Sequence, residues 1–275
     1  KVVQLNSGTY TLGSTANATN FTVNSATATV TATGLLTGAV DFTASGTLTA
    51  GGGITGNVNF AGKSGTLNLA AGQLITGNVD NTGATANSGT LVFLGNTSSA
   101  TGTIGATNPL AMVSFNGAGA INVPNNARSA VFNVGNAAAN VTAGQLITGN
   151  VKYTAAGTFN ANAGITGDTD FAGNSGTLNL AAGKTITGTV DNTGTTANKG
   201  TLNITGGTVT GAVGSTNPLN TVTFNAGTSS LGSTARASNF TVNSATAAVT
   251  ATGLLTGTVG FAVGGTLTAS SGITG

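Results

Sequence analysis

The stretch Leu36-Thr37-Gly38-Ala39-Val40-Asp41-Phe42 returns as Ile54-Thr55-Gly56-Asn57-Val58-Asn59-Phe60 and again as Ile75-Thr76-Gly77-Asn78-Val79-Asp80-Asn81. Further copies open at Ile147-Thr148-Gly149, Ile165-Thr166-Gly167, Ile186-Thr187-Gly188 and Leu255-Thr256-Gly257. Each copy is an apolar residue, a Thr-Gly corner and a tail of period two, which turns Val40 and Phe42 to one face and Asp41 to the other. The corner glycines Gly38, Gly56, Gly77, Gly149, Gly167, Gly188 and Gly257 are expected to supply a positive φ that a larger residue resists. One corner and one strand, stamped out repeatedly, decide the fold.

Successive corners are 18, 21 and 25 residues apart, from Gly38 through Gly56 and Gly77 to Gly102. Repeats of this length mark solenoids or propellers, and a propeller blade needs about 40 to 45 residues. The reading is therefore all-β, a parallel β-solenoid (β-helix) of about 12–13 rungs with 18–25 residues per rung. The segments Thr47-Leu48-Thr49, Thr66-Leu67-Asn68-Leu69 and Thr177-Leu178-Asn179-Leu180 alternate polar with apolar residues, as half-buried strands do. No helical period is sustained. A rung cannot bury its apolar face alone, so neighbouring rungs must hold one another.

A longer period overlies the short one. Residues 60–91 recur at 171–202, an offset of 111, and residues 14–42 recur at 233–261, an offset of 219. The chain reads as a single repetitive segment, 1–275, with superrepeats of roughly 1–111 and 112–220 and a partial 221–275. Five turns are expected in each 111-residue copy. A phrase cut short at Ile273-Thr274-Gly275 and an opening at Lys1 are expected of a fragment of a longer chain.

Composition narrows the function. Charged residues make up 4% of the chain, against about 25% in typical soluble proteins. Yet 39% of residues are hydrophobic and regularly spaced, which argues against disorder. Seven bases against five acids leave no basic stripe for nucleic acid. The chain lacks Cys, hence disulfides and thiolate metal sites, and lacks His, the commonest general base. No apolar run is long enough for a transmembrane helix. No phosphate loop, catalytic triad or nucleotide fingerprint is present.

The residue between Val and the aromatic in each corner phrase reads Asp41, Asn59, Asp80 and Gly105, then Lys152, Asp170, Asp191 and Gly214, and finally Gly260. This predicts one outward column holding four of the five acids, with Asp168 beside it. Like charges on neighbouring rungs repel without a cation, so Asp168, Asp170 and Asp191 form a candidate Ca²⁺ site. The plainer reading, which the sequence favours, is that Asp and Asn decorate an exposed strand. A carboxylate trio on adjacent rungs also suits a β-helix glycosidase, but copy one has Asn57, Asn59 and Asp80 at those positions, and no His accompanies either set.

Two further features invite partners. The loop Asn81-Thr82-Gly83-Ala84-Thr85-Ala86-Asn87 lengthens one turn and recurs at 192–198, making Thr82, Gly83, Thr85, Thr193, Gly194 and Thr196 candidate contact residues. Aligned threonines at Thr47, Thr66 and Thr90 resemble the ladders of ice-binding solenoids. Asn in the second column and unequal turns are expected to spoil that lattice.

Gly89-Thr90-Leu91-Val92-Phe93-Leu94-Gly95-Asn96, the block 105–116 with its Asn108-Pro109-Leu110, and Gly176-Thr177-Leu178-Asn179-Leu180-Ala181-Ala182-Gly183 resemble rickettsial surface cell antigens of the outer-membrane protein A/B type. The resemblance runs through the whole chain. It implies the passenger of a type V autotransporter, exported through an outer-membrane barrel to the bacterial cell surface. There it would build an S-layer-like coat or filament with copies of itself, or attach to a host-cell receptor or glycan. No catalytic activity and no cofactor is expected, apart from the candidate Ca²⁺.

Overall fold

A computed structural model describes residues 1–275, and they are all strand and turn, without a helix. The strands pair in parallel and coil into a β-solenoid of about 14 turns with about 19 residues per turn. The chain forms two compact units, Lys1–Gly135 with Ala139–Gly144, and Asn136–Ala138 with Gln145–Gly275.

In the first unit each turn lays down three strand segments. Ala28–Ala32 is the first, and Leu36–Phe42 supplies the other two because it bends at Gly38. At that bend the register with Ala16–Val23 slips, two residues facing one. One turn later the same element is split into Ile54–Thr55 and Val58–Asn59. Inward residues stack on inward residues: Val30, Leu48, Leu67, Leu91, Val113 and Phe132 form one column. Leu36, Ile54, Ile75 and Ala100 form a second, and Val40, Val58, Val79, Ile104 and Ala127 a third. All are essentially inaccessible to solvent. The expected inward and outward assignment of Val40, Asp41 and Phe42 is what the strand has.

In the second unit one column runs Ile147, Ile165, Ile186, Val209, Leu231 and Ala251. Another runs Val151, Thr169, Val190, Val213, Ala235 and Leu255. The corner phrase at Ile147 and its copy at Leu255 therefore lie in different columns. Five turns carry the chain from Ile147 to Ala251, and one further segment brings it to Leu255. The superrepeat is not the five turns that spacing predicts but five turns and one segment, so each copy of the phrase lands on the next side. The single outward column expected to reach Gly260 is corrected for the same reason, since Gly260 pairs with Thr241.

Aromatic residues stack between turns. Phe42 lies on Phe60 with ring centroids 4.8 Å apart, Phe93 on Phe115 at 5.6 Å and Tyr153 on Phe171 at 4.7 Å. Glycine covers four of these rings: a Cβ at Gly65, Gly89, Gly176 or Gly200 would overlap Phe42, Phe60, Tyr153 or Phe171 respectively. That explains the glycine of the Gly-Thr-Leu words, which the sequence reading leaves without a role. Tyr153 replaces a phenylalanine in this core, and its hydroxyl donates to the Thr177 carbonyl at 2.8 Å. Burial pushes the Tyr153 phenol well above its usual range.

Six of the seven corner glycines have φ between 135° and 159°, as expected. Gly77 does not, and what requires glycine there is a close approach that most of the other corners share. A Cβ there would overlap the Gly56 carbonyl of the preceding turn.

Thr169 breaks the second-unit column chemically. It is fully buried between Val151 and Val190, and its hydroxyl finds no partner. An unpaired buried hydroxyl costs about 1–3 kcal/mol, and valine has the same shape without it. Thr169→Val is expected to raise stability by about 1 kcal/mol, read as a higher midpoint in urea unfolding; an unchanged or lower midpoint would refute the reading.

Candidate functional site

The outward side of the corner strands holds all five acids, and the structure gives each a role that the sequence reading misses. In the first unit Asp41, Asn59 and Asp80 are in register on successive turns. Asp41 accepts a hydrogen bond from the Asn20 carboxamide of the turn before. The Asn59 Oδ1 accepts the N–H of Ala61 at 2.9 Å, closing a tight local turn. It also takes the Thr82 N–H at 3.1 Å and hydroxyl at 3.0 Å from the turn after. Asp80 accepts the Thr107 N–H at 3.0 Å and the Thr107 hydroxyl at 2.6 Å.

The second unit repeats the device with different residues. Asp168 accepts the N–H and hydroxyl of Thr189 at 2.8 and 2.9 Å, while its own N–H donates to Asn150 at 3.0 Å. Asp170, the register partner of Lys152, accepts the N–H of Ala172 at 2.8 Å and the hydroxyl of Thr193 at 2.7 Å. Asp191 is buried. It accepts from the Asn192 N–H and the Ser215 hydroxyl, each at 2.8 Å, and from the Thr216 N–H at 3.0 Å and hydroxyl at 2.7 Å. Each acceptor except Asp41 ties a threonine of the following turn to the turn beneath it. At Asn59 and Asp168 one oxygen takes both the N–H and the O–H, a task either Asp or Asn can do, whereas Asp80, Asp170 and Asp191 use both carboxylate oxygens.

Of the three members of the candidate Ca²⁺ site, Asp170 and Asp191 are register partners on adjacent turns and Asp168 lies two residues before Asp170. No group of three acidic side chains that could hold a metal ion forms anywhere in the chain. Like-charge repulsion, the argument for a cation, is answered by protein donors at each carboxylate. A shallow hollow of about 420 Å³ lies elsewhere, along Ala182–Gly183, Thr205–Thr208 and Ala226–Thr228. None of its lining residues is titratable.

The two candidate contact loops are exposed at residues 84–87 and 195–197 and clasped from below. Asn81 is fully buried; its Oδ1 accepts the Gly62 N–H at 2.7 Å and its Nδ2 donates to the Thr85 carbonyl at 2.8 Å. Asn192 does the same with Gly173 and Thr196, at 2.7 and 2.8 Å. From the next turn Asn108 donates to the carbonyls of Asn81 and Gly83, and Asn217 to those of Asn192 and Gly194. These are the asparagines of the two Asn-Pro-Leu words, so the words that carry the family resemblance are the clasps of the loops. Asn87 and Asn198 close the loops at φ of 52° and 57°, a conformation asparagine tolerates.

Asparagines also pair with one another on the outward sheet face. Asn179 donates to Asn160 at 2.7 Å, and Asn203 to Asn179 at 2.8 Å. Aromatic platforms of the kind that stack on sugar rings are missing from the loops, whose residues are small and polar.

No protein-family model, curated protein or solved structure matches the chain.

Burial pushes the Asp191 carboxyl up, but the hydrogen bonds from Thr216, Ser215 and Asn192 outweigh it and hold the group below its usual 3.8. The folded state therefore favours the charged form. The resulting stability is fully present above pH 3.8 and is lost as pH falls through the lower folded value. Asp191→Asn is expected to be less stable than the parent at neutral pH, and the gap is expected to narrow below pH 3.8. Urea unfolding across that range checks it; a gap independent of pH would remove the charge from the account.

Proposed function

We propose that this chain is a non-enzymatic structural segment of a bacterial surface protein, the repetitive passenger of an autotransporter that builds an S-layer-like coat or filament with copies of itself. One observation carries the reading. The acidic side chains, which would have to do any acid–base chemistry, are engaged as acceptors for neighbouring turns. The chain's polar chemistry goes into stacking one turn on the next, as suits a protein whose work is to extend and persist. The resemblance to rickettsial surface antigens points the same way and supplies the expected location, outside the outer membrane.

A second reading, adhesion to a host receptor or glycan, is favoured by the two loops. They are exposed, nearly identical in sequence and held by matching clasps, so a partner would meet them already ordered, without paying for their ordering on binding. The two readings separate at the loop apices. Ala84→Lys with Thr195→Lys leaves every clasp in place, because neither side chain takes part in one. If the segment is a coat, the double variant displayed on cells is expected to assemble as the parent does, seen by electron microscopy of the cell surface. Cell attachment lost with assembly intact would favour adhesion, and lost assembly would make the loops the contacts between copies. Hydrolysis of a polysaccharide that Asp170→Asn abolishes would overturn the non-enzymatic reading.

A further inference from the structure

We propose that the outward side of strands Gly8–Leu12, Ala28–Ala32, Thr47–Ala50 and Thr66–Leu69 is a face that binds the surface of ice. Thr9, Thr29, Thr47 and Thr66 form one column across these strands, and Thr11, Thr31 and Thr49 a second that ends at Asn68. Neighbouring rungs of such a sheet are about 4.8 Å apart, and residues two apart along a strand about 6.7 Å. Those two repeats lie close to the two oxygen repeats on a prism face of hexagonal ice.

Unequal turns are expected to spoil such an array, and here they do not. All three strand pairings run without a register shift, whereas the adjoining corner strand Leu36–Phe42 slips against its neighbour. Differences in turn length are taken up between the strands. Threonine is β-branched and stiff at χ1, so its hydroxyls are held at regular spacing rather than swept through several rotamers. The hydroxyls of Thr9, Thr11, Thr29, Thr31, Thr47 and Thr66 have no partner within the chain, and Thr49 is engaged only by Asn68 at 3.3 Å. They are therefore free to hold an ordered water layer. The Asn ladder of the second unit is the contrast, for its carboxamides are taken up by one another. None of the four strands carries a charged residue, whose tightly bound hydration shell would break the match to a lattice.

The test uses the full chain fused at its C-terminus to a fluorescent protein, frozen slowly onto a cold finger. The parent is expected to be enriched several-fold in the ice over the fluorescent protein alone. Thr29→Lys, at an exposed position within the face, is expected to fall to that background. Ala84→Lys, at an exposed loop position outside any threonine column, is expected to keep the parent's enrichment. Circular dichroism establishes that both variants are folded, and Thr9→Lys, at the exposed edge strand, replaces Thr29→Lys if the latter is not. A parent chain excluded from ice like the free fluorescent protein overturns the proposal. So does a folded Thr29→Lys or Thr9→Lys chain that is incorporated as well as the parent, or an equal loss in Ala84→Lys.

Discussion

Parallel pairing between successive turns is the constraint on which everything else in this protein depends. A residue can be buried only if the residue one turn earlier and the one a turn later also point inward, because the core is a set of columns and not a common centre. Val40 is buried because Val58 lies on it, and Val58 because Val79 follows. The same rule acts on the outside. A backbone N–H that turns away from the ladder at a corner must find its acceptor in a neighbouring turn, and the Asp and Asn side chains of the corner strands provide it. Stability is local in such a structure, each turn being supported by the next and by the one before.

That constraint explains which parts of the molecule are legible in the sequence. The Thr-Gly corners and the alternation of Thr-Leu-Asn-Leu are local signals, and local signals are enough to establish strands, parallel coiling and the inward set. Other features depend on what lies a turn away. Nothing near Gly77 in sequence says that its Cβ would strike the Gly56 carbonyl, and nothing near Gly89 says that it rests on the ring of Phe60. The acids mislead for the same reason. Asp168, Asp170 and Asp191 look like a cluster when lined up by phrase. Their meaning lies in Thr189, Thr193 and Thr216, each more than twenty residues further on. One signal was available: a threonine follows Asn59, Asp80, Asp168, Asp170 and Asp191 at 21 to 27 residues.

The loops show how the solenoid tolerates irregularity. Extra residues between Val79 and Leu91 leave the strand columns undisturbed because they are excluded from the turn and then tied down by Asn81 from within and Asn108 from above. A buried carboxamide is well suited to this, having both a donor and an acceptor to offer the backbone of a loop that cannot join a ladder. Unsatisfied groups such as the Thr169 and Ser229 hydroxyls are correspondingly few.

The repeat of five turns and one segment has a consequence for inheritance. Corner words that share the Thr-Gly-x-Val core, such as those at Ile147 and Leu255, are natural sites for unequal crossing-over in the gene. Loss of residues 147–254 would set Leu255 down where Ile147 now stands, with a corner phrase of the same design, so the core at the junction need not be rebuilt. Everything beyond the junction would nevertheless be turned by one side. Length and heading are therefore inherited together: a lineage that gains or loses a copy also redirects whatever the distal turns display.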